Sequence, residues 1–164
     1  MISLRISINL FFLIFLVAQG LIAQPSEESI RRVIDEVNDL RAQGSVCGGQ
    51  WMPPVGRLSW DPGLHLVSNQ YARYMAKYDH FDHVSREGED LGDRLDKVGY
   101  EWITIGENLA HGYDDFYQVL QAWKESPSHC KMLMHPDMTK MGMSKHKRYW
   151  AQSFSGVPKE LVSQ

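Results

Sequence analysis

Apolar and polar positions along this chain follow two periods, one helical and one extended. Ile30, Val33, Ile34, Val37 and Leu40 recur at helical spacing until Gly44, and Ser26, just after Pro25, suits the N-cap. A first amphipathic helix is predicted there. Asp61-Pro62 supplies a cap and a first-turn proline for a second helix, with Leu64, Val67, Tyr71, Tyr74, Met75 and Tyr78 at helical spacing. Its aromatic stripe reads most simply as core; a stacking surface for bases or sugars is the sharper alternative. Between the two helices, Trp51-Met52-Pro53-Pro54 is excluded from regular helix, because each proline removes an amide donor and restrains its predecessor.

Further on, Gly92 to Val98 predicts a brief helix stopped by Gly99. An extended stretch then runs from Tyr100 through Trp102-Ile103-Thr104-Ile105 and delivers Glu107 at a strand end. Asp114 is the expected cap of the next helix, whose apolar side carries Val119, Leu120 and Trp123. Ser126-Pro127 opens another short helix with His129 at its third position. Met141-Gly142-Met143 and Tyr149 to Phe154 predict a hairpin around Lys145-His146-Lys147-Arg148. Strands bracketed by helices suggest three layers.

The N-terminus has a different character. Arg5 precedes an unbroken apolar run from Leu10 to Val17, and Leu21-Ile22-Ala23 ends in a small residue, so residues 1–23 read as a signal peptide cleaved before Gln24. A membrane anchor is the competing reading. Against it, the run is short of the roughly 20 residues a span needs and breaks at Gln19-Gly20. No transmembrane anchor is expected after cleavage, and no cysteine follows the run to carry a lipid. Export to the extracellular space or the periplasm is the expectation, with residues 24–164 forming one domain around one core. The formal charge of −3 becomes −4 once Arg5 is lost, and charges of both signs are interspersed, leaving no electrostatic footprint for nucleic acid or an anionic membrane.

Cys47 and Cys130 are the only cysteines, and in an exported chain an even count favours one disulfide. Closing the loop of more than eighty residues between them is worth about 4 kcal/mol in the chain-entropy description. Two thiolate metal ligands remain the alternative, without the close Cys-x-x-Cys spacing usual for such sites.

Three segments carry the chemistry: Phe81-Asp82-His83, Gly106-Glu107-Asn108, and Trp123-Lys124-Glu125-Ser126-Pro127-Ser128-His129-Cys130. With Cys47-Gly48-Gly49 before the second helix, and Met141-Gly142-Met143 ahead of Tyr149-Trp150-Ala151-Gln152, they resemble the CAP superfamily of cysteine-rich secretory, antigen 5 and pathogenesis-related proteins. The likeness is to its short bacterial branch, the SCP-like extracellular proteins, and runs from Ile30 to Phe154. It implies an α+β fold, a three-layer α-β-α sandwich. In many CAP proteins two histidines and two glutamates face a cavity and hold zinc or another divalent metal, and by this resemblance His83, Glu107 and His129 take three of those places. The fourth falls on Ser126, while Glu125 lies one residue early, about 100° away around the helix.

Each residue also has a structural reading. His129 near a helix N-terminus suits packing, and the macrodipole would keep it neutral. Glu107 suits a strand-to-loop connection, and His80 suits solvent. His65, His111, His135 and His146 show no pattern. The leading functional expectation is a monomeric secreted binding module, with the His/Glu cleft flanked by Trp102, Tyr113 and Tyr149 and a lipid or cell-envelope ligand implied by the resemblance. A metal-dependent hydrolase is the second, in which zinc would activate a water. The chain lacks His-Glu-x-x-His and any recognisable nucleophile elbow. A purely structural envelope protein is the third.

Overall fold

The computed structural model describes residues 26–156. The expected signal peptide at residues 1–23 lies outside them, as do the last residues of the expected domain.

Helix α1 spans Glu27–Gln43, with the Ser26 hydroxyl accepting from the amide of Ser29. A small hairpin follows, β1 (Ser45–Cys47) and β2 (Gln50–Met52), turning on Gly48 and Gly49 at φ 59° and 84°. Only glycine occupies two successive left-handed positions without strain, so the Cys-Gly-Gly triplet is a turn. Strand β3 is Ser59–Trp60 and helix α2 is Pro62–Tyr78, capped by the Asp61 carboxylate as the sequence predicts. Helix α3 is Leu91–Lys97, opened by a reciprocal Asp90/Asp93 capping box.

Strand β4 is Thr104–His111, helix α4 Phe116–Glu125, helix α5 Pro127–Leu133, strand β5 Met138–His146 and strand β6 Tyr149–Gly156. Several boundaries differ from the sequence reading: the extended stretch expected from Tyr100 becomes strand only at Thr104, and α3 starts and ends one residue early. Glu107 is inside β4 rather than at its end, because the strand continues through Asn108-Leu109-Ala110-His111 paired with β6. The cap of α4 is Asp115, whose carboxylate takes the amide of Gln118, in place of Asp114.

The main sheet has the order β3-β5-β6-β4, with β3 parallel to β5 and the other pairs antiparallel. β6 is buried along its whole length, and β4 is an edge strand. Helix α2, with α3, packs one face: Leu64 and Val67 meet Leu91 and Leu95, while Tyr71, Ala72 and Met75 meet Leu109, Tyr149 and Ala151. Each large apolar side chain buried here contributes about 2 kcal/mol. Val37 of α1, Trp123 of α4 and Leu133 of α5 pack the opposite face against Met141, Trp150 and Phe154. The result is the expected α-β-α sandwich. Gly142 permits the closeness of α2 to β5, since a Cβ there would stand 2.0 Å from the His65 amide nitrogen.

The corner where α1 meets α5 is closed by two devices. Cys47 and Cys130 are joined in a disulfide with a Cα–Cα distance of 5.4 Å, which removes the metal-thiolate alternative. Beside it, Arg41 is fully buried and donates to the carbonyls of Gly56, Leu133, His135 and Met138 at 2.7, 2.6, 3.1 and 3.1 Å. Burial alone lowers its pKa to about 10.

Candidate functional site

Successive residues of a strand face opposite sides of a sheet, so β4 sends Glu107 and Asn108 in opposite directions. Glu107 faces α2 and α3. Its Oε1 accepts from Arg94 Nη2 at 2.7 Å and its Oε2 from His83 Nδ1 at 2.9 Å. The carboxylate is 4% exposed, the Arg94 side chain 9% and the His83 side chain 57%. A buried ion pair thus extends to a histidine at the surface.

Arg94 does more than neutralise Glu107. Its Nη1 donates to the carbonyls of His83 at 3.0 Å and Glu89 at 3.1 Å, and its guanidinium lies 3.5 Å from the centre of the Tyr71 ring. The Tyr71 hydroxyl, whose pKa burial raises to about 12, donates to the Asp82 carbonyl at 2.6 Å. Tyr74 stacks on Tyr71 with centroids 5.7 Å apart; its hydroxyl donates to Glu87 and accepts from the Arg86 amide. The tyrosine stripe of α2 is therefore partly core and partly a fastening for the loop that carries His83. The helix ends at Tyr78, with Asp79 left-handed at φ 49°, and His80 turns back to the Val84 carbonyl.

A carboxylate oxygen only accepts, so His83 Nδ1 carries the proton and the neutral ring presents Nε2 as a bare lone pair. The hydrogen bond to Glu107 is the main reason the His83 pKa is raised, with burial opposing it. His129 is shifted the other way, first by burial and then by the charge of His83. His83 follows α2 and His129 lies on α5, elements on opposite faces of the sheet.

Around the open edge of β4, toward its end, lies a cleft of about 250 Å³ lined from both faces of the sheet by Phe81, His111, Tyr113, Trp123, Ser126 and His129. Trp123 donates its indole N–H to the Leu109 carbonyl at 3.0 Å, which ties α4 to β4. Asn108, fully buried, donates to Gln152 at 3.2 Å. His111 stacks on Tyr149 with centroids 4.1 Å apart. Sequence reasoning overlooked His111; the alternation along an edge strand ending in His-Gly was the available signal.

Of the expected site residues, His83 and Glu107 are directly bonded and His129 stands near. Glu125 is not brought to them: it is exposed on α4 and accepts from Gln121 at 2.8 Å, whereas Ser126 lines the cleft. Of the expected flanking aromatics, Tyr113 lines the cleft and Tyr149 backs His111. Trp102 lies elsewhere, donating to Asp96 beside α3 and lining a separate depression with Tyr100 and Ile103. Among the described residues, no three His, Cys, Asp or Glu side chains are gathered as a ligand set for a metal ion.

Residues 34–154 match the cysteine-rich secretory protein family, CAP. The chain belongs to this family. Its CAP domain is 27% identical over 126 residues to the uncharacterized membrane protein YlbC of Bacillus subtilis, covering 77% of this chain and 34% of that one. The chain thus spans about a third of that curated relative. Among solved structures, an extracellular protein containing an SCP domain from Bacillus anthracis superposes with TM-score 0.69 at 25% identity, covering 79% of this chain and 40% of that chain. An outer surface protein of Borrelia burgdorferi superposes with TM-score 0.67 at 22% identity, covering 82% of this chain and 96% of that chain, and shares the fold. These neighbours are extracellular or outer-surface proteins. No described helix is long and apolar enough to cross a membrane.

Proposed function

We propose that this CAP domain is an exported binding module whose ligand site runs along the open edge of β4, with His83 and His129 at its polar end and the aromatic cleft at the other. The observation that carries this reading is the double engagement of Glu107. Arg94 takes one oxygen and His83 the other, so the carboxylate orients an imidazole and is not free to serve as a direct ligand. The donor set then fits a divalent ion through His83 Nε2 and His129, with Glu107 behind His83. It does not fit the three-ligand set with Glu107 bound directly. Zinc or a similar ion held there would supply Lewis acidity toward a bound oxygen or carbonyl.

A cleft of about 250 Å³ admits one ring or a short alkyl segment, not a whole lipid. The ligand is accordingly the exposed apolar end of a lipid or of a cell-envelope component. Export rests on the signal-like N-terminus together with the extracellular and outer-surface locations of the solved relatives.

Zinc titration by calorimetry tests the polar end, comparing the wild type with His83→Ala/His129→Ala. Stoichiometric binding lost in the double variant is the expected result. Equal heats in both proteins would overturn the two-histidine site, and turnover of an ester or peptide abolished by the same pair would replace the module with a hydrolase.

A further inference from the structure

At the opposite edge of the sheet, β3 covers β5 only at Lys140 and Met141, and Met143-Ser144-Lys145, paired with β6 on one side, continue without a strand on the other. Helix α2 caps this stretch with side chains: His65 Nδ1 lies 2.7 Å from the Met143 carbonyl, and Asn69 Nδ2 donates to Ser144 Oγ at 2.8 Å. A cavity of about 340 Å³ opens there between α1 and α2, lined by Trp60, His65, Arg73, Met143, Lys145 and Trp150. No acidic side chain lines it among the described residues. Arg73 is held by its Nε–H on Asn69 Oδ1 at 3.0 Å, and the Lys145 ammonium lies 5.1 Å from the centre of the Trp150 ring.

The floor of the cavity carries an unexplained group. His65 is 4% exposed, and its Nε2 has no hydrogen-bond partner among the described residues. The Met143 carbonyl only accepts, so the proton of the neutral ring sits on Nδ1 and Nε2 is a buried acceptor without a donor. Buried acceptors are rarely left so, and this one points to a missing donor. Two cations, two indole rings and one orphaned acceptor therefore meet in one cavity.

We propose that this cavity is a second binding site, selective for a small aromatic carboxylate that also carries a hydrogen-bond donor. The carboxylate meets Arg73 and Lys145 at the mouth, the ring lies between Trp60 and Trp150, and an N–H or O–H of the ligand completes His65 Nε2. The cavity opens toward the β3/β5 edge, with β6, which supplies Trp150, between it and β4.

Indole-3-acetate is a suitable probe, with the neutral indole-3-acetamide as its control, both titrated calorimetrically into the purified protein. Saturable one-to-one binding of the acid is expected, weakened about tenfold by the amide or by Arg73→Gln/Lys145→Gln, two exposed positions where folding is not at stake. His129→Ala should leave it unchanged, which separates failure here from failure at the β4 edge. The ¹⁵N resonance of His65 Nε2 should move on binding. Equal affinity for acid and amide, or unchanged affinity in the Arg73/Lys145 variant, overturns the proposal. So does an unmoved His65 signal with no saturation at millimolar probe, the result expected if water alone occupies the cavity.

Discussion

Arg41 and Arg94 are both buried guanidinium groups, and the difference in their partners separates the frame of this molecule from its site. Among the described residues Arg41 meets only neutral carbonyls, four of them, from Gly56 after β2 and from the stretch between the end of α5 and the start of β5. Its charge goes no further, and with the neighbouring disulfide it fastens one corner. Arg94 meets a carboxylate, and the second oxygen of that carboxylate reaches a half-exposed histidine. A buried charge becomes chemically useful when its counterion has a second contact that reaches the surface.

The largest test of this contrast is at the fastened corner. Cys47→Ser with Cys130→Ser should lower stability by about 4 kcal/mol, read from the urea midpoint, while the titration of His83 stays as in the wild type. An unchanged midpoint would mean the closed loop contributes little. Arg41→Met removes the donors of four carbonyls and should cost about 3 kcal/mol, again with His83 unaffected. A moved His83 titration in either variant would show that the corner and the site are one unit.

Changes at the β4 edge should do the reverse. Glu107→Gln costs about 2 kcal/mol, because Arg94 keeps only a neutral acceptor, and its signature is a fall in the His83 pKa followed by NMR. If His83 titrated unchanged in that variant, the orienting role of Glu107 would be wrong.

The smallest effect is on pH dependence, and its two contributions oppose each other. The His83 pKa is raised above the ordinary imidazole value of 6.5, so its stabilising contribution is full below that pH and is lost as pH rises through the folded value. The His129 pKa is lowered, so below pH 6.5 the unfolded chain takes up a proton that the fold refuses, and stability falls. Melting curves from about pH 5 to 8 should therefore lose an acid-side gain in His83→Ala and an acid-side penalty in His129→Ala. Parallel curves for the two variants would remove the opposition.

Much of the frame was legible in the chain because it depends on local rules. Asp61-Pro62 capped α2, Ser126-Pro127 began α5 with His129 at its third position, and the pair of cysteines in a chain with an export-like N-terminus indicated a disulfide. The misplaced end of β4 has a simple cause: Glu107-Asn108 looks like a strand end locally, but pairing with β6 carries the strand through it. Arg94 and Arg41 left no signal. Each lies on a helix among ordinary polar residues, and the acceptors that give it a role come from distant segments.

The sequence by itself determined the helices, the β5/β6 hairpin, the cross-link and the family motifs, since capping, periodicity and turn chemistry act over a few neighbouring residues. It also named His83 and Glu107, which are hydrogen-bonded at β4, and His129, which lines the cleft beside it. Only the tertiary structure decided what Glu107 does, because a carboxylate 13 residues from Arg94 and 24 from His83 acquires its partners through packing across the edge of the sheet. The same packing turned Glu125 outward and buried His65 with one nitrogen unpaired. Long-range placement of polar groups depends on the whole core, and no local pattern encodes it.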